Sequence, residues 1–296
     1  MVSFSLLLCR IGVFLSYQEL FSEIENYSKK YSTFFEIYEE HFSKYIKPVT
    51  FVEIGIFHGG SLEFWKKVLP IGSRIIGIEI NQEANQIVID GVEIFIGDQS
   101  NPEFWSIFFE KIGKVDIVLD DGGHTNKQQI VTTLQCMKHI NNDGLIVIED
   151  THFSFLRQVG NPSKLSFINW AKLCVDSLNL RYSNRDNEKY LVETKNLIAK
   201  KVHSIIFYES VVVFQIKKVS LPTIVTAGSV KSHINQFRVL DEFELSNWKI
   251  TKELRKFISN KKIRYFASKI IFLKRYLHFK KQNLEQRKYF REIESL

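Results

Sequence analysis

Cysteine is scarce in this chain, which has only three in 296 residues: Cys9, Cys136 and Cys174. They form no CxxC pair and no Cys/His metal pattern. An odd and sparse set of cysteines argues for a reducing compartment rather than a disulfide framework. We therefore expect a cytoplasmic protein.

Long apolar runs are absent as well. No segment approaches the ~20 apolar residues that are needed to cross a membrane. The chain begins with an apolar stretch, but this stretch lacks a leading positive charge and Arg10 interrupts it early. We interpret it as a packing helix rather than a signal peptide. Internal repeats and low-complexity tracts are also missing, so the fold has to be predicted from individual strands and helices.

The composition, with 45% hydrophobic and 25% charged residues, provides material for one α/β domain plus an appendage. Two late apolar runs, 204–208 and 211–216, are separated by only two residues, which is too short for a parallel crossover and predicts an antiparallel hairpin. We predict an α/β fold, a Rossmann-like doubly wound sheet that is mostly parallel, with an antiparallel terminal hairpin and helical N- and C-terminal appendages. The five parallel strands are expected at 50–54, 74–80, 92–97, 115–119 and 145–148, and the helix before the last of them is expected to stop at 142–144.

The ends of the first three strands suit a nucleoside cofactor. Gly55 and Gly59 follow the first strand and allow a tight turn into a helix. The second strand ends in Glu79, about 20 residues beyond that turn, where a ribose hydroxyl pair would lie. Asp98 and Gln99 follow the third strand and suit an adenine edge. The turn contains no GxGxxG motif, which disfavours a nicotinamide or flavin cofactor.

The ends of the fourth and fifth strands carry acids and histidines. Asp121 and His124 follow the fourth strand, and Glu149 and Asp150 follow the fifth. In an open α/β sheet, ligands bind outside the carboxyl ends of the strands, so two such ends can share one site. The three carboxylates would provide the oxygen ligands that Mg²⁺ prefers, and His124 would be close enough to move a proton. This arrangement is typical of an enzyme.

Taken in order, these motifs resemble class I S-adenosylmethionine-dependent methyltransferases. Within that class the chain is similar to the metal-dependent sugar O-methyltransferase group, which includes macrocin-type and mycinamicin-type enzymes and cephalosporin hydroxylase-like proteins. The resemblance covers roughly residues 35–217. It rests on ExGxxxGGSL from Glu53, GIEIN from Gly77, GDQ from Gly97, DDGGH from Asp120 and IEDxH from Ile148.

The resemblance implies a role for each matching residue. His124 would be the general base, and His152 a candidate acceptor contact. The group often continues with His-Thr-Ser-Tyr after its Glu-Asp pair, whereas this chain continues with residues 151–155, and the missing tyrosine hydroxyl leaves the acceptor sugar open. The implied metal ligands are Asp121, Glu149 and Asp150. The implied cofactor-binding residues are Glu53, Gly55, Gly59, Ser61, Glu79, Asp98, Gln99 and Asp120.

Each motif also has a purely structural interpretation. Asp120 and Asp121 could cap the helix that follows them, since an Asp before a helix satisfies free backbone donors. His124 alone could be an ordinary hydrogen-bonded residue, and His152 could support a loop. We expect His58 to be structural. The tryptophans Trp65, Trp105 and Trp170 are expected in the core or at an interface rather than stacked on a cofactor.

Charge divides the chain unevenly and suggests its domain boundaries. From residue 249 to 296 there are 15 Lys/Arg and 4 Asp/Glu, a net charge of +11, so the preceding 248 residues carry −4. An apolar stripe at Ile263, Phe266, Ile270, Leu273 and Leu277 suits an amphipathic helix. We predict an N-terminal helical segment (1–47), a methyltransferase domain (48–218), a connector (219–235) and a basic helical appendage (236–296). Residues 16–47 are expected to be helical, and the resemblance implies that the helix containing Tyr38 borders the active site.

The predicted function is an S-adenosylmethionine- and Mg²⁺-dependent O-methyltransferase acting on a hydroxyl of a sugar or glycoconjugate. Two alternatives stay open: a catechol-like small-molecule O-methyltransferase, and a non-catalytic scaffold that retains the fold. The basic appendage is expected to pack on its own domain or on a second subunit in a homo-oligomer. Peripheral contact with the inner face of a membrane is the alternative, and nucleic-acid binding is disfavoured because no recognition motif accompanies the charge.

Overall fold

The computed structural model describes residues 15–157, 164–183 and 195–219, together with the single positions 225, 227, 273, 276, 277, 280, 284 and 286. Our predictions for the first 14 residues and for most of the connector and the basic appendage therefore lie outside the described residues. The chain divides into two compact units, residues 1–224 and 225–296. In the second unit the described positions from Leu273 to Gln286 are helical and exposed.

The first unit is built on a mixed sheet, and the described residues contribute seven strands in the order β3-β2-β1-β4-β5-β7-β6. Strands β1 to β5 are parallel, whereas β7 pairs antiparallel with both β5 and β6. The predicted fold, including the terminal hairpin, is confirmed. The strands are β1 Thr50–Ile54, β2 Arg74–Glu79, β3 Val92–Ile96, β4 Val115–Asp120, β5 Ile140–Ile148, β6 Val202–Tyr208 and β7 Val211–Ile216.

Helices cover both faces of the sheet. One face packs around Trp105, Phe108 and Met137, and the other around Tyr38 and Trp65. Trp65 and Trp105 are thus core residues, as expected. The helices are α1 Tyr17–Ser22, α2 Ser32–Phe42, α3 Gly60–Val68, α4 Pro102–Ile112, α5 Asn126–His139, α6 Phe167–Ser183 and α7 Leu197–Lys201, with short 3-10 helices at Gln82–Gln86 and Thr151–Phe155. None of these described helices is both long and apolar enough to cross a membrane.

Strand register brings the acidic strand ends together. Ile54 of β1 pairs with Asp120 of β4, and Asp120 pairs with Ile148 of β5. The backbone N–H of Asp121 then donates to Ile54 O, and that of Glu149 donates to Asp120 O, both at 2.9 Å. The acidic residues that follow β4 and β5 therefore emerge side by side at the carboxyl edge of the sheet.

Two local expectations were wrong. Residues 16–47 are not helical throughout, because the segment 23–31 between α1 and α2 is not helical. The helix before β5 ends at His139, earlier than the predicted stop at 142–144. Ile140 already pairs with Val115, so β5 passes through that polar stretch with a register shift and a positive φ at Asp143. Pairing with β4 outweighs the local turn signal.

Candidate active site

A cavity of about 610 Å³ opens at the carboxyl edge of the sheet. It is lined by the ends of β1, β2 and β4 and by residues 28–31 of the segment before α2. The open side of parallel strand ends is where ligands bind in such folds. Of the predicted site residues, Gly55, Ser61, Glu79, Gln99, Asp121, His124 and Asp150 line this cavity.

Backbone geometry explains the glycines of the turn after β1. Gly55 has φ +84, and a Cβ atom on it would lie 2.1 Å from the carbonyl oxygen of Asp121. Gly59 also has a positive φ, +85, at the start of α3. A side chain at either position would strain the backbone, and at Gly55 it would separate β1 from β4. The turn therefore keeps the end of β1 and the acidic residues that follow β4 next to each other at the cavity wall.

Glu79 lies at the end of β2 and faces this turn. Its carboxylate accepts hydrogen bonds from the backbone N–H groups of Phe57, Ile80 and Asn81 at 2.8 to 3.2 Å. These donors hold the carboxylate at the cavity wall. The side chain is partly exposed, so it can still accept from a ligand hydroxyl.

The two residues that were predicted to contact adenine, Asp98 and Gln99, form hydrogen bonds within the protein. Asp98 accepts from the backbone N–H and the hydroxyl of Ser100. Gln99 donates to Asp120 Oδ1 at 2.8 Å and to Thr132, and its carbonyl oxygen accepts from Gly123 N–H. Gln99 is buried and links the ends of β3 and β4. Its side chain thus supports the cavity floor, and an adenine contact by these residues stays a prediction.

Asp121, His124 and Asp150 come together as predicted. Each offers one ligand atom, and these atoms all lie within 4.8 Å of one another. His124 Nε2 is 3.4 Å from Asp150 Oδ2 and 4.0 Å from Asp121 Oδ1. His124 and Asp150 have φ values of 56 and 53, in the left-handed region that costs a non-glycine residue about 1–3 kcal/mol. Such strain is typical of functional positions.

Helix capping does not explain these acids. The N-cap of α5 is Thr125, whose hydroxyl accepts from Gln128 N–H while the Gln128 side chain reaches back to the cap. Asp120 accepts from Gln99 and from Gly122 N–H. Asp121 points to Lys30 instead of to the helix, at 2.7 Å. The capping interpretation of Asp120 and Asp121 is therefore wrong.

Glu149 has different neighbours from Asp150. It is completely buried, and one of its oxygens accepts from Lys30 Nζ at 2.9 Å while the other accepts from the Tyr38 hydroxyl. Lys30 Nζ also lies 3.4 Å from Glu53 Oε1. One lysine thus contacts carboxylates from β1 and from the residues that follow β4 and β5.

Burial and charge together set the protonation of this cluster. Burial by itself favours the neutral amine of Lys30, but the carboxylates of Asp121 and Glu149 hold the pKa of Lys30 well above its usual range. Burial raises the pKa of Glu149 and of Asp150, and the nearby Asp121 adds to both increases. Burial likewise raises the pKa of Asp120 to about 6. The cluster holds more acid than its single lysine can neutralise.

The residues present fit a divalent cation. Asp150 Oδ1 and His124 Nδ1 are buried and make no hydrogen bond within the described residues. Carboxylate oxygens are the ligands of hard cations, and the excess of acid favours a further positive charge. Asp150 is placed to ligate such an ion directly, while Asp121 and Glu149 each have one oxygen that accepts from Lys30.

His152 is the outermost of the predicted residues. Its Nδ1 lies 2.6 Å from the Ser210 hydroxyl and 3.7 Å from Asp150 Oδ1. Its ring contacts those of Tyr31 and Phe153. The side chain is 38% exposed, so it is accessible beside the cavity but also supports the β6–β7 turn. The two interpretations of His152 both stay open.

Lys30 is the main residue that the sequence reasoning missed. It stands in a polar segment 91 residues before Asp121 and 119 before Glu149, and no local pattern marks it. Tyr38 was recognised only as part of a helix bordering the site. The one available signal was that a helix ending in aromatic residues precedes β1.

No protein-family model matches the chain. It is similar to curated O-methyltransferases, among them the mycinamicin VI 2''-O-methyltransferase of Micromonospora griseorubida, with 34% identity over 123 residues, 38% of this chain and 30% of the relative. The demethylmacrocin O-methyltransferase of Streptomyces fradiae is 31% identical over 154 residues, 48% of this chain and 38% of the relative. The matched part spans about a third of the length of these relatives. The resemblance predicted from the motifs is confirmed.

A solved structure shares the fold. The MycE methyltransferase from the mycinamycin biosynthetic pathway, in complex with Mg and SAH, aligns with a TM-score of 0.62 and 23% identity. The alignment covers 70% of this chain and 55% of the other. The seven-stranded architecture of the first unit is therefore that of a known methyltransferase.

Proposed function

We propose that this protein is an S-adenosylmethionine- and Mg²⁺-dependent O-methyltransferase that acts on a hydroxyl of a sugar or glycoconjugate. The observation that carries the proposal is the meeting of Asp121, His124 and Asp150 at the wall of a cavity lined by strand ends. The curated relatives support it, because all five that match are named O-methyltransferases, with 29–34% identity over 38–48% of this chain.

The cofactor would occupy the side of the cavity formed by β1 and β2. Gly55 and Gly59 let the backbone approach it closely, and Ser61 lies at the start of α3 beside the turn. Glu79 would accept hydrogen bonds from the ribose hydroxyls. Glu53, Asp98, Gln99 and Asp120 would support this side through the contacts described above. The space next to His124 is left for the acceptor.

Asp121, Glu149 and Asp150 would hold the cation. When bound, Mg²⁺ would lower the pKa of an acceptor hydroxyl and keep two adjacent oxygens in register. The protein would contribute the orientation of these ligands, because the strand register fixes where Asp121 and Glu149 emerge. His124 Nε2 lies 3.4 Å from Asp150 Oδ2, so the imidazole would lie next to an acceptor hydroxyl that is held at the ion.

The chain's own chemistry would be positioning and proton transfer. The acceptor oxygen forms a bond to the methyl carbon as the bond from that carbon to sulfur breaks, and the hydroxyl proton passes to the His124 imidazole. The displacement is in line, so the oxygen must lie ~3 to 3.5 Å from the methyl group. No covalent enzyme intermediate is required.

The test is transfer of a labelled methyl group from S-adenosylmethionine to a panel of nucleotide sugars, glycans and catechols, with and without EDTA. We expect a sugar product that EDTA abolishes and Mg²⁺ restores. Product only from catechols would favour the small-molecule alternative.

Cofactor binding is measured separately, by calorimetry with S-adenosylhomocysteine. Glu79→Ala should weaken this binding at least tenfold, since hydrogen bonds to charged groups contribute ~1.5 to 3 kcal/mol. Tight cofactor binding without any product would favour the scaffold.

The partners and location of the protein are part of this proposal. We propose a cytoplasmic enzyme whose basic appendage packs on its own domain or on a second subunit. Contact with an anionic membrane surface is the competing role, because each Lys or Arg near such a surface contributes ~1 kcal/mol. Both roles use residues 249–296, whose net charge of +11 makes the whole chain basic.

A further inference from the structure

Lys30 stands out because a cation is already built into the acidic cluster. Its ammonium lies 2.7 Å from Asp121 Oδ2 and 2.9 Å from Glu149 Oε2. The side chain is only 2% exposed. An ammonium has three donors, and its third neighbour is Glu53 Oε1 at 3.4 Å. The lysine thus contacts two of the three carboxylates that are proposed to hold a divalent cation.

The divalent ion and the Lys30 ammonium cannot both contact Asp121 and Glu149 without strong electrostatic repulsion. A divalent ion that took Asp121 and Glu149 as ligands would lie within a few ångströms of the ammonium, and like charges at that distance repel strongly in a buried site. Among the residues that the structure describes, Glu53 is the only other carboxylate in ion-pair contact with Lys30. The ion and the lysine are therefore alternatives at Asp121 and Glu149.

We propose that Lys30 is a tethered cation that competes with the divalent metal for Asp121 and Glu149 and leaves them for the cavity when the metal binds. This inference rests on the metal site of the proposed function. Lys30 then regulates metal affinity, because a divalent ion has to displace the ammonium before it binds. The apparent affinity for the metal is therefore lower than the carboxylates alone would give.

The position of Lys30 in the fold permits this movement. The residue belongs to the segment 23–31, which is not helical and forms no strand. Backbone hydrogen bonds to neighbouring strands fix the backbone positions of Asp121 and Glu149, whereas the long side chain of Lys30 lies on a connecting segment and can rotate away. Lys30 and its neighbours Ser28, Lys29 and Tyr31 line the cavity, so its release would also change the wall that faces the cofactor.

Metal affinity is the direct test. Mn²⁺ binding to the intact chain, followed by electron paramagnetic resonance, is compared for the unaltered protein and for Lys30→Met, Lys30→Arg and Lys47→Met. We expect Lys30→Met to bind Mn²⁺ at least tenfold more tightly, because the ion no longer displaces a charge. Lys30→Arg should stay within threefold of the unaltered protein. Lys47→Met is the matched control, since Lys47 is exposed and does not line the cavity, and should also stay within threefold. Equal or weaker binding by Lys30→Met would overturn the proposal.

A second measurement needs no variant at Lys30, because Lys30→Met could fail to fold. The unaltered protein is acetylated with N-hydroxysuccinimide acetate, and modification of each lysine is followed by peptide mass spectrometry. Saturating Mn²⁺ should raise the modification rate of Lys30 at least tenfold and leave that of the exposed Lys47 unchanged within twofold. Continued protection of Lys30 at saturating Mn²⁺ would refute displacement while leaving the metal site intact. If neither the unaltered protein nor Lys30→Met binds Mn²⁺, both the inference and the metal site fail, and the methyl-transfer assay then judges the rest of the proposed function.

Discussion

At the scale of single residues, His124 combines a strained backbone with a side chain in the acidic cluster. Its φ of 56 is unfavourable for most residues, but asparagine adopts this region readily. A His124→Asn change therefore removes the imidazole and keeps the local backbone.

We expect His124→Asn to lose turnover by ~10² to 10⁴, the usual cost of removing a general base, with unchanged affinity for S-adenosylhomocysteine. The measurements are initial rates with the acceptor found in the panel, and calorimetry. His203→Asn is the matched control, because His203 is exposed on β6. A His124→Asn protein that turns over within threefold of normal would remove His124 from the mechanism and leave the metal site standing.

Asp120 allows a pH-dependent prediction. Burial raises its pKa from 3.8 to about 6, so the folded state binds the proton more tightly than the unfolded chain does. Stability contributed by this proton is present below pH 3.8 and is lost as the pH rises to about 6. A shift of this size corresponds to about 3 kcal/mol.

Asp120→Asn cannot ionise, and its side-chain oxygen can keep the hydrogen bonds from Gln99 and Gly122. Between pH 4 and pH 7 the free energy of unfolding of the unaltered protein should therefore fall by roughly 2.4 kcal/mol relative to that of Asp120→Asn, because the unfolded Asp120 is already partly ionised at pH 4. Urea unfolding at several pH values measures the difference. Parallel pH profiles for the two proteins would show that Asp120 is not responsible.

At the scale of elements, the segment 23–31 is attached to α3. The Glu63 carboxylate accepts from the backbone N–H groups of Glu25 and Asn26 and from the Asn26 side chain, at 2.6 to 3.1 Å. A Cβ on Gly60 would lie 2.1 Å from Asn26 O, so the two elements are in direct contact. The helix that follows the cofactor turn thus also positions the segment that carries Lys30.

Glu63→Ala removes all three acceptor contacts. We expect backbone amides in residues 23–31 to exchange with deuterium at least tenfold faster, because each hydrogen bond to a charged group contributes ~1.5 to 3 kcal/mol. Exchange in β1 and β4 should not change. Glu110→Ala, at an exposed position of α4, provides the control. Unchanged exchange in the segment would mean that other contacts hold it.

At the scale of the whole molecule, the basic appendage presents apolar side chains. Leu273, Tyr276 and Leu277 are helical and 54–55% exposed. Two of them belong to the stripe predicted from the sequence. An apolar helix face that is exposed in one chain suits packing on a second subunit.

Leu273→Ser combined with Leu277→Ser lowers apolar area and keeps the net charge. We expect the intact chain to form a dimer in analytical ultracentrifugation and the double variant to be mainly monomeric. Lys280→Gln, at an exposed helical position, should leave the dimer intact. A monomeric intact chain that sediments with anionic vesicles in a salt-sensitive manner would instead establish the membrane role.

Local sequence patterns by themselves determined the sheet and the order of its motifs. Apolar β-branched runs, the glycine turn and the two-residue link between Tyr208 and Val211 are short-range signals, and each predicted its element correctly. The acids after β4 and β5 could be placed at one edge because parallel strands end together. The cluster of Asp121, His124 and Asp150 followed from this rule and from the resemblance.

Tertiary structure alone decided how that cluster is charged. Lys30 reaches Glu149 across 119 residues, and the Gln99 side chain links the ends of β3 and β4. Such contacts depend on strand register and on the path of the segment before α2, and neither has a local sequence signal. The sequence determines which groups are available, whereas packing over long separations decides which of them meet, since burial makes every unpaired charge costly.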